Sequence, residues 1–228
     1  MTDPWKAATV VDVVRQTERA RSLRLRVADR VEHRAGQHYV VRLTAPDGYV
    51  TSRSYSVSSP PGDPEVELTV ERLDDGEVSA YLDDVVVVGD ELEVRGPIGG
   101  WFVWDGDSPA VLVGGGSGVA PLMAMLRLAR REGREQLLRL VVSVRSPAEL
   151  LFGDEIEGPV TQLVWTRRGP EGWAGRVGRV RAEDLPVVPD ATYFVCGSAG
   201  FAETASQLLV GVGVQPSAVR VERFGPSG

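Results

Sequence analysis

Val111-Leu112-Val113-Gly114-Gly115-Gly116-Ser117-Gly118-Val119-Ala120-Pro121-Leu122 reads as a buried strand that runs into a glycine turn and leaves it as a helix. Apolar residues at Val119, Leu122, Met123 and Leu126 carry the i, i+3, i+4, i+7 spacing of one helix face. Pro121 suits a first helical turn, where its missing N–H leaves no bond unmade. Gly115, Gly116 and Gly118, with Ser117 among them, let a backbone approach a pyrophosphate, and a helix start favours negative charge. The run is not a strict GxGxxG with an acid at the next strand end. The strand–turn–helix context that gives such a turn its meaning is nevertheless in place.

Downstream of this turn, apolar β-rich runs alternate with helical ones. Strands are expected at Ala110–Val113, Leu138–Val144, Gln162–Trp165, Thr192–Cys196 and Ala218–Val221, the rhythm of βα units around a parallel sheet. Arg127, Arg131 and Arg134 read as a solvated face that also suits the helix C-terminal dipole. Upstream the rhythm differs. Thr9–Val14, Leu23–Val27, Tyr39–Leu43, Ser54–Ser58, Val66–Val70 and Glu91–Arg95 are short strands with turns between them and few helical stretches, which predicts a small antiparallel β-barrel. The change falls at the hinge-like Trp104-Asp105-Gly106-Asp107-Ser108-Pro109, so two domains are expected, residues 1–106 and 107–228.

In the barrel half, Arg53-Ser54-Tyr55-Ser56 follows Tyr39–Leu43 and a Pro46-Asp47-Gly48 turn, as the second arm of a hairpin. Alternation puts Arg53 and Tyr55 on one face, Ser54 and Ser56 on the other. Such a group offers a cation to a phosphate, a ring to a flat ring and hydroxyls to its polar edge. It also fits an edge strand with a surface arginine and a half-buried tyrosine. Further on, Asp75-Gly76-Glu77-Val78-Ser79 opens a short helical run whose free N–H groups would attract a phosphate, unless it is an ordinary capped turn.

Composition narrows the classes. The chain has 228 residues, 43% of them hydrophobic, enough for real cores, and no apolar run approaches the roughly 18 residues of a membrane span. Met1 to Val10 carries no secretory pattern, so a cytoplasmic protein is expected. The single cysteine, Cys196, can close no internal disulfide and cannot ligate a cluster that needs four thiolates. His33 and His38 lack helical zinc spacing and read as surface or barrel residues, so no metal is expected. A net charge of −7 argues against nucleic-acid binding. Arg15, Arg19, Arg21, Arg24, Arg26, Arg30 and Arg34 crowd into one stretch, either the solvated face of strands with Leu23, Leu25 and Val27 turned inward or a docking face for an acidic partner.

Taken in order, Arg53-Ser54-Tyr55-Ser56, Gly76-Glu77-Val78-Ser79, Gly96-Pro97-Ile98-Gly99, Gly114–Pro121 and Cys196-Gly197 resemble the ferredoxin–NADP reductase superfamily over nearly the whole chain. The resemblance implies an N-terminal FAD-binding barrel, a C-terminal NAD(P)-binding α/β domain and a flavin ring between them. By position, Arg53 would contact the flavin diphosphate, Tyr55 would stack on the ring, Ser54 would lie beside them and Ser56 near N5. Gly76, Val78 and Ser79 would hold the diphosphate, which favours FAD over FMN. Cys196-Gly197 would face the nicotinamide, although a lone apolar-flanked cysteine is also an ordinary core residue. Glu222 and Phe224 resemble the acid and aromatic ring that meet the flavin, with Gly225-Pro226-Ser227-Gly228 as an extension, and Ser198 replaces the family's proline after Cys-Gly.

NADPH is expected over NADH. The second strand of the α/β half runs into Arg145, a cation where NAD-specific folds place an acid. Thr166-Arg167 resembles the family's pair for the 2′-phosphate, and Arg179 stands near enough in sequence to join it. The implied activity is hydride transfer from NADPH to FAD, with single electrons passed to ferredoxin or another small one-electron carrier. A flavin or quinone reductase without a protein partner, and a non-catalytic flavin-binding regulatory subunit, are the alternatives.

Overall fold

Alternation in the first hundred residues builds six antiparallel strands: β1 (Lys6–Thr17), β2 (Ala20–Val27), β3 (His38–Thr44), β4 (Val50–Ser56), β5 (Val66–Glu71) and β6 (Glu91–Ile98). The computed structural model describes residues 4–224. The strands lie in the order β4-β3-β6-β1-β2-β5. An antiparallel bridge between Val57 and Leu68 brings the two edge strands together, so the sheet closes into a barrel. Inside are Val10, Leu23, Leu25, Tyr39, Val41, Leu68 and Val94. Helix α1 (Glu77–Asp84) seals one end with Val78 and Leu82, lying against β4 and β5.

The second half carries β7 (Ala110–Gly115), α2 (Ala120–Arg131), β8 (Leu138–Val144), the one-turn α3 (Gly153–Ile156), β9 (Thr161–Trp165), β10 (Thr192–Ser198), α4 (Ala199–Gly211) and β11 (Val219–Phe224). Its five strands are parallel, in the order β11-β10-β7-β8-β9. A parallel sheet needs cover on both faces. Leu112, Leu140, Val142, Phe194 and Cys196 pack beneath α2, while Val111, Val113, Val141 and Val195 pack beneath α4. The expected strands all form, and the helix begins at Ala120 with Pro121 in its first turn, as its spacing requires. No helix among the described residues is long and apolar enough to cross a membrane.

The two halves share one core. Ala20, Ala35, Phe102 and Trp104 of the first half join the cluster under α2. Phe102 meets Phe194 edge to face, with ring centroids 5.2 Å apart, a favoured aromatic geometry. The hinge-like stretch is a fixed turn: the Asp105 carboxylate accepts hydrogen bonds from the amides of Asp107 and Ser108, and Trp104 Nε1 donates to the Ser108 carbonyl.

Three readings of charge and polarity are corrected. Arg131 and Arg134 are part-exposed, as a solvated face requires, but Arg127 is not, and all three bind groups of the protein. Arg127 bonds Glu67 and the Ser58 carbonyl across the interface, Arg131 the Pro61 carbonyl, and Arg134 Asp107. In the early arginine stretch, Arg15 pairs with Asp83, Arg19 with Asp74, Arg24 and Arg26 with Glu65, and Arg30 with Glu32. Arg21 is buried and caps the end of α1 by donating to the Leu82 carbonyl. Arg34 is exposed and has no carboxylate partner among the described residues; the rest of this stretch presents little unpaired positive charge to a partner. Of the two places read for His33, the surface is excluded: it is buried, its Nε2 3.0 Å from the Ser59 carbonyl.

Candidate active site

Strand order decides where a ligand can enter. β7 and β10 are neighbours in the sheet, yet their connections leave toward opposite edges, which opens a crevice at their C-terminal ends. The glycine turn sits there. Gly116 adopts φ +55° with no atom within 4 Å of where a Cβ would stand, so the turn is left-handed and open to an approaching group. Gly118 serves the opposite purpose: a Cβ there would run into the Cys196 carbonyl, so glycine lets the turn press onto the end of β10. Gly115 and Gly197 form a flat floor for the ring of Phe201.

Beyond the turn lies a cleft of about 550 Å³ lined by Arg145, Thr166, Arg167, Arg179, Ser198 and Phe201 among others. Backbone bonds assemble it. The amides of Arg167 and Arg168 donate to the Arg145 carbonyl, and that of Gly178 to the Trp165 carbonyl, which folds three separate segments onto one rim. Arg145 has only a 3.4 Å pair with Glu149, both side chains well exposed, which holds it weakly. Arg167 and Arg179 form no ion pair with a carboxylate among the described residues. Phe201 and Thr204 were not singled out in the sequence, and Ser198 was noted only as a replacement for proline. The Ser198 hydroxyl caps α4 by accepting from the Phe201 amide at 3.3 Å, and that turn swings Phe201 into the cleft.

On the barrel side, β3 and β4 pair in the register Tyr39–Tyr55 and His38–Ser56, the predicted hairpin. Arg53 and Ser54 are exposed, and Arg53 reaches only the carbonyl of Ser52. Tyr55 packs against the barrel core, and burial holds its phenol well above the usual tyrosine range. Ser56 is 5% exposed, yet its hydroxyl makes no hydrogen bond among the described residues. At the start of α1, Gly76 is the N-cap and no side chain caps the helix. Ser79 departs from its expected role: its buried hydroxyl donates to the Gly76 carbonyl and accepts from the Leu73 amide. The serine hydroxyl is thus engaged within the turn, which leaves the backbone amides at the helix start as its unengaged donors among the described residues. The side chain of Val78 points into the barrel.

Cys196 and Glu222 face each other as register partners on β10 and β11. Cys196 is 0% exposed and belongs to the core under α2; burial, then the nearby Glu222, pushes its thiol well above the usual range. It is a buried thiol at the end of β10, held in its neutral form. Glu222 is half-buried, and burial pushes its carboxyl up to about 7. Phe224 packs at the edge of the α2-side core, and the expected extension at 225–228 lies outside the described residues.

The residues present fit a flavin and a nicotinamide nucleotide. An unengaged hydroxyl in a nearly buried position, an uncapped helix start beside an exposed arginine, and an open left-handed glycine are all accounted for by such ligands. Comparison with known proteins agrees. Residues 8–103 match the oxidoreductase FAD-binding domain and residues 112–207 the oxidoreductase NAD-binding domain. The chain is 28% identical, over 96% of its own length and 69% of the relative's, to the ferredoxin–NAD(P)+ reductase component of the naphthalene 1,2-dioxygenase/salicylate 5-hydroxylase systems of a Ralstonia species. It is 35% identical to the glycine betaine monooxygenase reductase subunit of Chromohalobacter salexigens, over 83% of this chain and 55% of that one. It thus spans between about half and two thirds of the length of such relatives. The fold superposes on the FAD/NAD-binding domain of nitric oxide dioxygenase from Vibrio cholerae with a TM-score of 0.85, at 24% identity, covering 97% of this chain and 99% of that one. By its two domain matches, its barrel-then-parallel-sheet fold and its motif order, the chain belongs to the ferredoxin reductase-like family of FAD- and NAD(P)-binding oxidoreductases.

Proposed function

We propose that this chain takes hydride from NADPH onto FAD and passes single electrons to a ferredoxin-type carrier, residues 1–106 holding the flavin and 107–228 the nicotinamide nucleotide. The observation that carries the cofactor choice is the cleft where Arg145, Thr166, Arg167 and Arg179 converge with no buried carboxylate among the described residues paired to them. Guanidinium groups grip a phosphate dianion by paired hydrogen bonds, which a ribose hydroxyl cannot match. FAD, when bound, supplies the exchange between two-electron and one-electron chemistry. The chain's part is binding, orientation and proton handling. Arg53 and the amides at the start of α1 hold the diphosphate. Tyr55 supports the ring, and the Ser56 hydroxyl donates to its reacting edge. Glu222, titrating near neutrality, is the group beside the site able to hold a proton at its carboxyl oxygen. Gly197 leaves room for Phe201, whose ring shields the nicotinamide end of the cleft.

A separate one-electron carrier is supported by two relatives named as reductase components of oxygenase systems. The chain's single cysteine leaves a cluster to another polypeptide or another domain. The test is anaerobic mixing of FAD-loaded protein with NADPH and, separately, NADH. Rapid bleaching of the yellow colour by NADPH, then its return on adding oxidised ferredoxin, is the expected result. Protein that takes up no FAD, or bleaches equally fast with both nucleotides, would sink the flavin or the phosphate reading respectively.

A further inference from the structure

Buried hydroxyls seldom lie end to end by chance. Here three do, Ser22, Ser58 and Thr69, all on the barrel side. Ser58 Oγ is 2.7 Å from a Glu67 carboxylate oxygen and 3.0 Å from Thr69 Oγ1. Thr69 Oγ1 is 2.9 Å from Ser22 Oγ, and Ser22 Oγ is 3.1 Å from Gln16 Nε2. Both ends reach the other half of the molecule. Glu67 accepts from Arg127 of α2 at 2.6 Å, and the Gln16 carbonyl oxygen accepts from the amide of Phe152 at 3.0 Å. Arg127 lies over the Phe152 ring, 5.2 Å from its centroid, which closes the circuit.

The hydrogen positions follow from the ends. A carboxylate held by a guanidinium can only accept, so Ser58 donates to Glu67. Ser58 then accepts from Thr69, which accepts from Ser22, which accepts from the Gln16 amide. Every hydroxyl gives one bond and takes one, and all point the same way. Such a chain is cooperative, each bond polarising the next. It also sits at a telling corner. The Val57 amide donates to the Gln37 carbonyl and the Ser58 amide to the Glu67 carbonyl, where the strand leaves β3 to close on β5, two residues beyond Ser56.

We infer that Gln16, Ser22, Thr69, Ser58, Glu67 and Arg127 form one lock that fixes α2 and the glycine turn before it to the flavin-facing end of β4. Thr69 and Arg127 are then positioning residues for hydride transfer, acting through Ser58 on Ser56 and touching neither cofactor. This inference rests on the proposed function for its catalytic consequence, not for the lock itself. Arg127 also binds Glu155 at 2.6 and 2.7 Å and is 17% exposed, so its loss risks the fold. Thr69→Val, which removes one hydroxyl from the middle of the chain, is the cleaner probe.

Gln16→Met and Arg127→Met, single and combined, are unfolded with denaturant in the wild-type and Thr69→Val backgrounds. The ends should be coupled at least fivefold in the unfolding equilibrium, and Thr69→Val should abolish that coupling. Coupling that survives Thr69→Val would mean the ends communicate through Phe152 alone and would overturn the lock. In the FAD-loaded enzyme Thr69→Val should keep its flavin, hold KM for NADPH within twofold and lower kcat about tenfold, with weaker long-wavelength charge-transfer absorbance between nicotinamide and flavin. An unchanged kcat would overturn the positioning role. A wild type that does not oxidise NADPH would overturn the functional reading, and the lock would then be judged by the denaturation cycle alone.

Discussion

Two groups of arginine behave in opposite ways in this molecule. Most of those of the barrel strands and of α2 meet carboxylates or carbonyls of the protein itself, and Arg95 lies over the Trp5 ring, whereas Arg167 and Arg179 at the cleft meet no carboxylate among the described residues. One charge type thus does two jobs. Where an arginine finds an acid on a neighbouring strand it holds the fold, and where it is left facing a concave surface it waits for an anion from outside. Density of arginine in sequence is a poor guide between the two. The crowded stretch 15–34 is paired in all but Arg34, and the scattered Arg145, Arg167 and Arg179 are those left around the cleft.

The comparison breaks most visibly at Arg21. Its side chain is 7% exposed and lies against Asp83, itself 4% exposed, while capping α1 at the Leu82 carbonyl. Burial pulls its guanidinium below the usual arginine range and Asp83 opposes that pull, so the two depend on each other. Arg21→Ala leaves the buried Leu82 carbonyl without its cap and removes one of the two cations around Asp83, which keeps Arg15 at 2.7 Å, so it should cost about 1–3 kcal/mol in chemical denaturation. A loss below 1 kcal/mol would place this residue with the surface charges. The next effect is functional. Arg167→Ala should lower kcat/KM for NADPH roughly ten- to a hundredfold, the worth of one charge-assisted bond of about 1.5–3 kcal/mol, and leave NADH almost unchanged. Equal slowing with both nucleotides would show a fold effect at the cleft.

Glu222 sharpens the contrast between buried charge with a partner and buried charge without one. Its carboxyl is raised to about 7 from 4.5 by burial, with no cation to oppose it. A raised folded-state value means that the neutral form is favoured in the native state. Its contribution is full below about pH 4.5 and is lost as pH rises through 7. Between pH 4.5 and 8 the wild type should lose roughly 1–3 kcal/mol of stability relative to Glu222→Gln. Parallel stability profiles for the two proteins would remove the raised value. The smallest effect is expected at Arg24 and Arg26, which share Glu65 near the surface. Reversing both should alter ferredoxin-linked turnover less than twofold at moderate salt, because little net positive charge is presented there. A steep loss would restore this face as a docking surface.

Local pattern carried most of the architecture. Leu23, Leu25 and Val27 alternate because one barrel face is buried, and Val119, Leu122, Met123 and Leu126 recur at helix spacing, although α2 is in fact buried on nearly all sides; both periods are visible in a single stretch. The site was legible where a motif is contiguous, as at Gly114–Pro121 and Thr166-Arg167. It was not legible where the partner lies far along the chain. Arg127 looked solvated because Glu67 is 60 residues away and its own helix offers it no acid. Ser79 looked like a phosphate ligand because nothing in the sequence reveals that Leu73 folds back to occupy its hydroxyl. Phe201 was silent because its place depends on two glycines from different strands, Gly115 and Gly197, meeting under one ring.

The edge-to-face contact of Phe102 with Phe194 bears on how such proteins are recombined. The sequence changes character near residue 107, and that is where a protein engineer would cut to exchange reductase modules. Yet Phe102 and Trp104 lie before the cut and are buried with residues that lie after it. A barrel released at that point would carry two large rings bare into water, a sticky patch that favours aggregation, and a foreign nucleotide module would have to supply its own socket for them. A graft should therefore take its junction near residue 100, before the first of these rings, so that each aromatic travels with the surface it was selected against.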